Sequence, residues 1–207
     1  MKPVLIDTTL SLVSGGLGVQ YDTRTGAQLS RAPRPIKTLW NMPLPGIDAA
    51  VNWGDGTVYF IHHMQVMRYD LARAAVRPGY PTVLPFYWRG LWASDIDAAV
   101  RLDRSAFFFR GDECLQYDIR AGQAGPEGPL PITDSWYGLP GRITGVVPLT
   151  DAYLLFFAGE TCYVYALNKD QTVTGPVPFA DVIRDGIPAF LTRLSPSTEP
   201  FSPDDRY

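Results

Sequence analysis

Short apolar runs recur along the chain, each bounded by polar or glycine-containing turns. They begin at Leu10, Val58, Ala106 and Leu154, which lie 48 residues apart. Short runs rich in β-branched and aromatic residues predict strands rather than helices. The equal spacing indicates an internal repeat, which must be recognised before any motif because it decides the whole fold.

Three further landmarks keep the same period. They are Tyr21, Tyr69, Tyr117 and Tyr165; Trp40, Trp88 and Trp136; and Pro33, Pro81 and Pro129. Four independent landmarks in one register establish a repeat of 48 residues.

Each repeat predicts one four-stranded sheet. In the second unit the strands are residues 47–51, residues 58–61, a third ending at residues 67–70, and a fourth segment closing on Trp88. The matching first strands in the third and fourth units are residues 96–100 and 143–147.

The first unit is predicted to lack an opening strand, because Tyr21 lies close to the start of the chain. A matching segment occurs at the other end, at residues 187–191. A last strand that completes the first sheet closes the chain into a ring and removes exposed sheet edges. We therefore predict an all-β, four-bladed propeller closed by its C-terminal strand.

The predicted domain is a single propeller over residues 1–195. Its blades are expected at about residues 4–44 plus 187–192, 45–93, 94–141 and 142–186. Residues 196–207, rich in Pro, Ser and Asp, are predicted to be a loose tail on the surface.

Composition agrees with a globular protein of many short strands. Hydrophobic residues make up 46% and charged residues 19%, with 19 Gly and 19 Pro to supply turns. A net charge of -3 without a basic run argues against a nucleic-acid partner. The N-terminus meets a charge too early for a signal peptide, and no apolar stretch has membrane-spanning length. We therefore expect no membrane association and a cytoplasmic location.

The repeat resembles that of the hemopexin family, whose pattern has an Ile-Asp-Ala-Ala opening, a Tyr/Phe-Phe-x-Gly-Asp hairpin, a Tyr-Asp close and a late Trp-x-Gly. The matching segments are residues 47–50, 69–70 and 88–90 in the second unit, and residues 96–99, 108–112, 117–118 and 136–138 in the third. The resemblance covers roughly residues 4–192.

The resemblance implies a narrow axial tunnel in which main-chain carbonyls of the opening strands hold ions. Carried over by position, the first ring of carbonyls would come from Asp48, Asp97, Thr144 and Pro188, and a second ring from Ala50, Ala99, Val146 and Phe190. Converging carbonyl dipoles suit a hard cation such as calcium or sodium. Two of the four first-ring positions lack the family's Asp, so a water-filled tunnel without a functional ion is the alternative.

His62 and His63 are the only histidines, and they align with Ser14-Gly15, Arg110-Gly111 and Ala158-Gly159. Three glycines in four copies predict a positive φ angle at His63. Neutral imidazole suits haem iron or a transition metal, so both histidines are candidate ligands. The alternative is a surface turn with two solvated histidines.

Cys114 and Cys162 occupy equivalent places in neighbouring blades, which lie too far apart for a disulfide. We predict two buried, free thiols. The aromatic residues 107–109 and 156–157 and the three repeat tryptophans are predicted to form the packing between blades.

No nucleophile has a credible catalytic partner, since both histidines lie in one turn. The predicted function is a non-catalytic binding module, monomeric or weakly dimeric, that holds haem, a polyamine or a glycan at a propeller face or tunnel mouth. Two alternatives follow from the resemblance. One is a pocket-shaping biosynthetic enzyme similar to the pericyclases on this fold, and the other is a protein-docking domain similar to those of metalloproteinases.

Overall fold

Four antiparallel sheets follow one another along the chain in the computed structural model, which describes residues 1–194. Each sheet corresponds to one sequence repeat and forms one blade. In every blade the first three strands are joined by hairpins and pair in chain order. Blade 1 contains β1 (Lys2–Ile6), β2 (Thr9–Ser14), β3 (Leu17–Asp22) and β4 (Arg34–Pro35).

The other three blades repeat this plan. Blade 2 contains β5 (Ala49–Asn52), β6 (Thr57–His62), β7 (Gln65–Asp70), β8 (Ala75–Val76) and β9 (Thr82–Val83). Blade 3 contains β10 (Ala98–Leu102), β11 (Ser105–Arg110), β12 (Glu113–Asp118), β13 (Gln123–Ala124) and β14 (Leu130–Pro131). Blade 4 contains β15 (Gly145–Pro148), β16 (Tyr153–Ala158), β17 (Thr161–Ala166) and β18 (Gln171–Pro178).

The innermost strands β1, β5, β10 and β15 surround a common axis. Each packs against the innermost strands of the two neighbouring blades, including β1 against β15. The prediction of a four-bladed propeller is therefore confirmed. Blades 1 and 3 face each other across the axis, as do blades 2 and 4.

The landmarks of the repeat meet in the strand pairing. In each blade the first residue of the apolar run lies opposite the repeat tyrosine. The pairs are Leu10 with Tyr21, Val58 with Tyr69, Ala106 with Tyr117, and Leu154 with Tyr165. The 48-residue period therefore records a conserved register between the second and third strands of every blade.

A short helix contains Trp40, and others directly precede Trp88 and Trp136, where the sequence had predicted a fourth strand closing on Trp88. The outer strand is broken into two short pieces in blades 2 and 3 and is a single strand in blade 4, and a helix follows it in each blade. The helices are α1 (Ile36–Trp40), α2 (Leu84–Tyr87), α3 (Ile132–Ser135) and α4 (Phe179–Ile183). A proline precedes each helix or lies in its first turn, and it explains why the strand ends and a helix begins there. Proline cannot donate a ladder hydrogen bond, and its φ suits a first helical turn.

The hydrophobic core is divided into four clusters, and each cluster joins two neighbouring blades. Three of the interfaces contain the same aromatic contact, in which the repeat tryptophan of one blade packs on a phenylalanine of the next. The ring centroids are 5.1 Å apart for Trp40–Phe60, 5.1 Å for Trp88–Phe108 and 5.2 Å for Trp136–Phe156. The predicted role of the aromatic residues between blades is confirmed.

The predicted closure by a C-terminal strand is wrong. Residues 187–194 form a helix, α5 (Ile187–Leu194), and the first strand of blade 1 is β1 at the N-terminus. β1 pairs with β2 from Lys2 opposite Val13 to Ile6 opposite Thr9. It fits ahead of β2 because the connecting turn takes only Asp7 and Thr8.

Helix α5 instead fills the interface between blades 4 and 1. Arg184 and Leu12 stand where the other interfaces have the tryptophan and the phenylalanine. Ile187 and Phe190 of α5 pack into this cluster beside Leu12. The Ile187 amide also donates a 2.7 Å hydrogen bond to the carbonyl of Thr23 in blade 1. Side-chain packing, not a strand ladder, therefore closes the ring.

A glycine permits the close approach of this segment to blade 1. A Cβ atom at Gly186 would lie 2.1 Å from the carbonyl oxygen of Arg24, and its φ of 86° disfavours any other residue. The predicted tail over residues 196–207 lies outside the described residues. No helix within residues 1–194 is long and apolar enough to cross a membrane.

Both cysteines are free and buried, as predicted. Cys114 belongs to the cluster between blades 3 and 4, and Cys162 to the cluster between blades 4 and 1. Burial raises the pKa of each thiol to about 12, although Trp136 Nε1 donates a 3.3 Å hydrogen bond to Cys114 Sγ.

The thiols should be inert in the folded protein. The thiolate is the reactive form, and a pKa of about 12 leaves almost none of it near pH 8. We expect Ellman's reagent at pH 8 to label neither Cys114 nor Cys162 in native protein and both after unfolding in guanidinium. Rapid labelling of either thiol under native conditions would contradict their placement in the blade interfaces.

The role of α5 can be tested with Phe190→Ala. Because the ring is removed from a buried site in the closing interface, we expect the free energy of unfolding to fall by about 3 kcal/mol. Thr192→Ala, at an exposed position of the same helix, is the control and should change it by about 0.5 kcal/mol or less. Equal effects of the two substitutions in urea titrations would show that the ring closes without α5.

Candidate functional site at the tunnel mouth

One end of the propeller axis opens into a polar depression with an empty volume of about 830 Å³. We call it the tunnel mouth and define it by its charged and histidine side chains. They are Lys2, Asp48, His63, Asp95, Asp97, Arg110 and Arg142. The mouth therefore combines side chains from blades 1, 2 and 3 with Arg142, which precedes blade 4.

The side chains of the residues directly before the inner strands accept hydrogen bonds from hairpin turns of the same blades. Asp48 Oδ2 accepts a 2.6 Å hydrogen bond from the His63 amide, and Asp97 Oδ2 accepts a 2.9 Å bond from the Gly111 amide. In blade 4 the Thr144 hydroxyl accepts a 3.2 Å bond from the Gly159 amide. These side chains each satisfy a turn amide, which explains an Asp or Thr at this position of the repeat.

The structure changes the membership of both predicted carbonyl rings. Asp48, Asp97 and Thr144 do precede β5, β10 and β15, but Pro188 lies in α5, away from the inner strands. The pairing of Lys2 with Val13 places Met1 at the fourth position of the first ring.

The second ring is corrected in the same way. Ala50, Ala99 and Val146 line the axial cavity, whereas Phe190 packs in α5. Pro3, which lies opposite Leu12 as Ala50 lies opposite Phe60, takes the fourth position. These two corrections have one cause, which is that blade 1 takes its inner strand from the N-terminus.

The tunnel behind the mouth is narrow and becomes apolar. The section next to the mouth has an empty volume of about 160 Å³. Beyond it the lining includes one buried valine from each inner strand, namely Val4, Val51, Val100 and Val147. The middle of the tunnel is therefore apolar, and a second polar opening, lined by Asp7, Asn52, Arg101 and Asp103, lies at its far end.

Lys2 lies in the mouth, and the sequence interpretation missed it. Its Nζ donates a 2.9 Å hydrogen bond to the main-chain carbonyl of Asp97 and lies 3.6 Å from Asp97 Oδ1. Burial lowers the pKa of Lys2, while Asp97 and Asp48 oppose that shift by favouring the charged form. The available signal was spacing, since Lys2 precedes Leu10 by as many residues as Ala98 precedes Ala106.

The mouth does not fit the axial metal ion that the resemblance implied. The Asp97 carbonyl, one of the expected metal ligands, already accepts a hydrogen bond from the Lys2 ammonium. Within residues 1–194, no three side chains of His, Cys, Asp or Glu converge in a way that could hold a metal ion. An ion at this ring would meet a fixed positive charge.

The two histidines lie side by side at the edge of the mouth. His63 has a φ of 50°, close to 55° at Gly15, 60° at Gly111 and 67° at Gly159, so the predicted positive φ is confirmed. His62 is largely buried, and its Nδ1 lies 3.4 Å from Asp48 Oδ2, whereas His63 is 74% exposed. Their ring centroids are 4.3 Å apart, and of the two only His63 lines the mouth.

Several plant proteins of known structure have a similar fold. A hemopexin fold protein, CP4 from cow pea, has a TM-score of 0.70 and 14% identity, covering 91% of this chain and 94% of that chain. A plant albumin from Cicer arietinum showing hemagglutination has a TM-score of 0.69 and 16% identity, covering 92% and 94%. A plant lectin with two metal binding sites, also from Cicer arietinum, has a TM-score of 0.69 and 15% identity, covering 86% and 91%.

These similarities define the class of protein as a single four-bladed propeller of hemopexin fold. The family model described as Hemopexin matches residues 47–93 and 96–141, which are blades 2 and 3 with their helices. Two of the four repeats therefore match the hemopexin repeat family, and the whole chain shares its four-bladed fold. Blades 1 and 4 share the fold but lie outside the matched segments.

The strained turn at His63 gives a direct test of the repeat. Glycine adopts a positive φ without the steric cost that a side chain incurs, so we expect His63→Gly to raise the free energy of unfolding by about 0.5–1 kcal/mol. The hydrogen bond from the residue 63 amide to Asp48 is retained, because it involves only the backbone of that residue. His62→Gly is the control and should be destabilising, since residue 62 ends strand β6. Urea titrations that show a loss of stability in both variants would contradict the strain at His63.

Proposed function

We propose that this chain is a non-catalytic binding module and that its tunnel mouth holds a small polar ligand. Of the three ligand classes considered, a glycan with an acidic group suits the mouth best. The observation that carries this proposal is a wide depression lined by carboxylates and incompletely paired guanidinium groups.

Arg142 and Arg110 supply the positive groups. Arg142 is 72% exposed and lies 3.8 Å from Asp97 Oδ2, a distance that leaves its donors largely available. Arg110 stacks over the Trp92 ring, with its Cζ 4.7 Å from the ring centroid, so its guanidinium group is held in a defined orientation. A guanidinium group pairs well with a carboxylate because both are planar and can form two parallel hydrogen bonds.

Acceptors for hydroxyl groups lie beside these donors. Asp95 is exposed at the mouth, and Ser94 Oγ donates a 2.7 Å hydrogen bond to Asp95 Oδ2. Asp48 and Asp97 are partly exposed and face the same depression. Sugar hydroxyls donate to carboxylates, while a uronic or sialic acid group would accept from the arginines.

The other two ligand classes fit the lining less well. Haem needs large apolar walls, and Ile96, the apolar side chain of the lining, is itself buried. A polyamine would be attracted by the three Asp carboxylates, but the positive charges of Lys2, Arg110 and Arg142 offset that attraction. The hemagglutination named for one Cicer arietinum protein and the lectin description of the other support a glycan as the ligand class for this fold.

Calorimetry with acidic oligosaccharides tests the proposal, using oligosaccharides that contain uronic or sialic acid. We expect binding that weakens at least about tenfold in Arg142→Ala, the loss of one charge-assisted pair. Arg104→Ala is the matched control, because Arg104 is exposed in the turn between β10 and β11, away from the mouth. It should bind as the wild type does.

Haemin and spermine form the comparison arms of the same experiment. Tighter binding of either one than of the acidic oligosaccharides would overturn the glycan assignment. An equal loss of affinity in Arg142→Ala and Arg104→Ala would show that the ligand binds outside the tunnel mouth.

A further inference from the structure

We infer that the Lys2 ammonium is a built-in cation on the propeller axis, standing where the resemblance to the hemopexin family implies a metal ion. The propeller then keeps its mouth assembled without calcium or sodium. This inference goes beyond the proposed ligand and does not depend on it.

The topology places the ammonium on the axis. Lys2 belongs to β1 of blade 1, and Asp97 precedes β10 of blade 3, on the opposite side of the ring. A 2.9 Å hydrogen bond between Lys2 Nζ and the Asp97 carbonyl therefore requires the lysine side chain to cross the tunnel. The crossing occurs in the section next to the mouth, which Lys2, Asp48, Asp97 and Thr144 line together.

The surroundings of Lys2 Nζ are those that a hard cation requires. A carbonyl oxygen and a carboxylate oxygen of Asp97 lie at 2.9 and 3.6 Å. Asp48, on the neighbouring blade 2, adds a second carboxylate that favours the positive charge. Carbonyl and carboxylate oxygens bind calcium in proteins, and the same oxygens accept hydrogen bonds from an ammonium group, which carries three donors.

The ammonium and a metal ion cannot share this position. An ion bound to the Asp97 carbonyl would lie within contact distance of Lys2 Nζ. Two positive charges at such a short distance repel each other strongly in a partly buried site. Arg142, 3.8 Å from Asp97 Oδ2, adds to the positive charge around that carboxylate. The lysine is also covalently attached, so its local concentration does not depend on the ion content of the solution.

Lys2→Met tests the inference, because methionine keeps an unbranched side chain of similar length and removes the charge. We expect the wild-type thermal midpoint to be the same in EDTA, in calcium chloride and in sodium chloride at equal ionic strength. The variant should melt several degrees lower, and calcium at millimolar concentration should restore part of the loss by binding to the freed oxygens.

Matched controls are available because the chain has only two other lysines, Lys37 and Lys169, and both are exposed. Lys37→Met and Lys169→Met should melt as the wild type does and show no response to calcium. Terbium luminescence provides a second measurement, with one bound ion expected in Lys2→Met and none in the wild type.

Two results would overturn the inference. One is a rise in the wild-type midpoint with calcium as large as that of Lys2→Met, and the other is a folded Lys2→Met that gains no calcium response. If Lys2→Met does not fold, NMR of the three lysine Nζ signals in the wild type decides the matter. A Lys2 signal that is distinct from the others and unchanged by calcium supports the inference, and a calcium-dependent Lys2 signal contradicts it. None of these measurements uses a glycan, so their outcome is independent of the calorimetric test of the proposed ligand.

Discussion

The contact of a tryptophan in one blade with a phenylalanine in the next is the interaction on which this fold depends. A single blade has no partner for its apolar faces, so each sheet is stable only through its neighbours. The aromatic pair, at nearly the same distance in three interfaces, fixes how far apart the blades stand. That spacing brings the four inner strands around a narrow axis, and it leaves room at one end for a polar mouth.

Much of the fold could be predicted because the repeat fixes strand register. The positive φ at His63 followed from three glycines at equivalent places, and the free thiols followed from the blade-to-blade distance. Residues 187–191 were misassigned because a short apolar run fits a strand or a helix equally well, and Pro188 suits the first turn of a helix. Met1 and Lys2 look unlike the Asp-Ala of blades 2 and 3, so their strand was overlooked.

The candidate site was harder to predict than the fold, because its members are distant in sequence. Arg110 ends β11, whereas Asp95 and Arg142 lie ahead of β10 and β15, and the folded ring of blades brings all three to one opening. The role of Lys2 depends on which blade lies opposite it across the axis. The periodicity of the strands does not predict that arrangement. A residue whose partner is on the opposite blade leaves no local signal in the chain.

The interface between blades 4 and 1 differs in kind from the other three, and this gives the disc a preferred line of fracture. Within residues 1–194 no sheet spans two blades, and blades 4 and 1 are also not consecutive in the chain, so separating these two breaks neither a ladder nor a direct chain connection. The packing of α5 and the amide of Ile187 join blade 1 to the end of the chain. A disc built in this way can open into a C shape in which every sheet remains intact. Hydrogen exchange would then begin in the β2–β3 hairpin of blade 1 and in α5 before it reaches the inner strands.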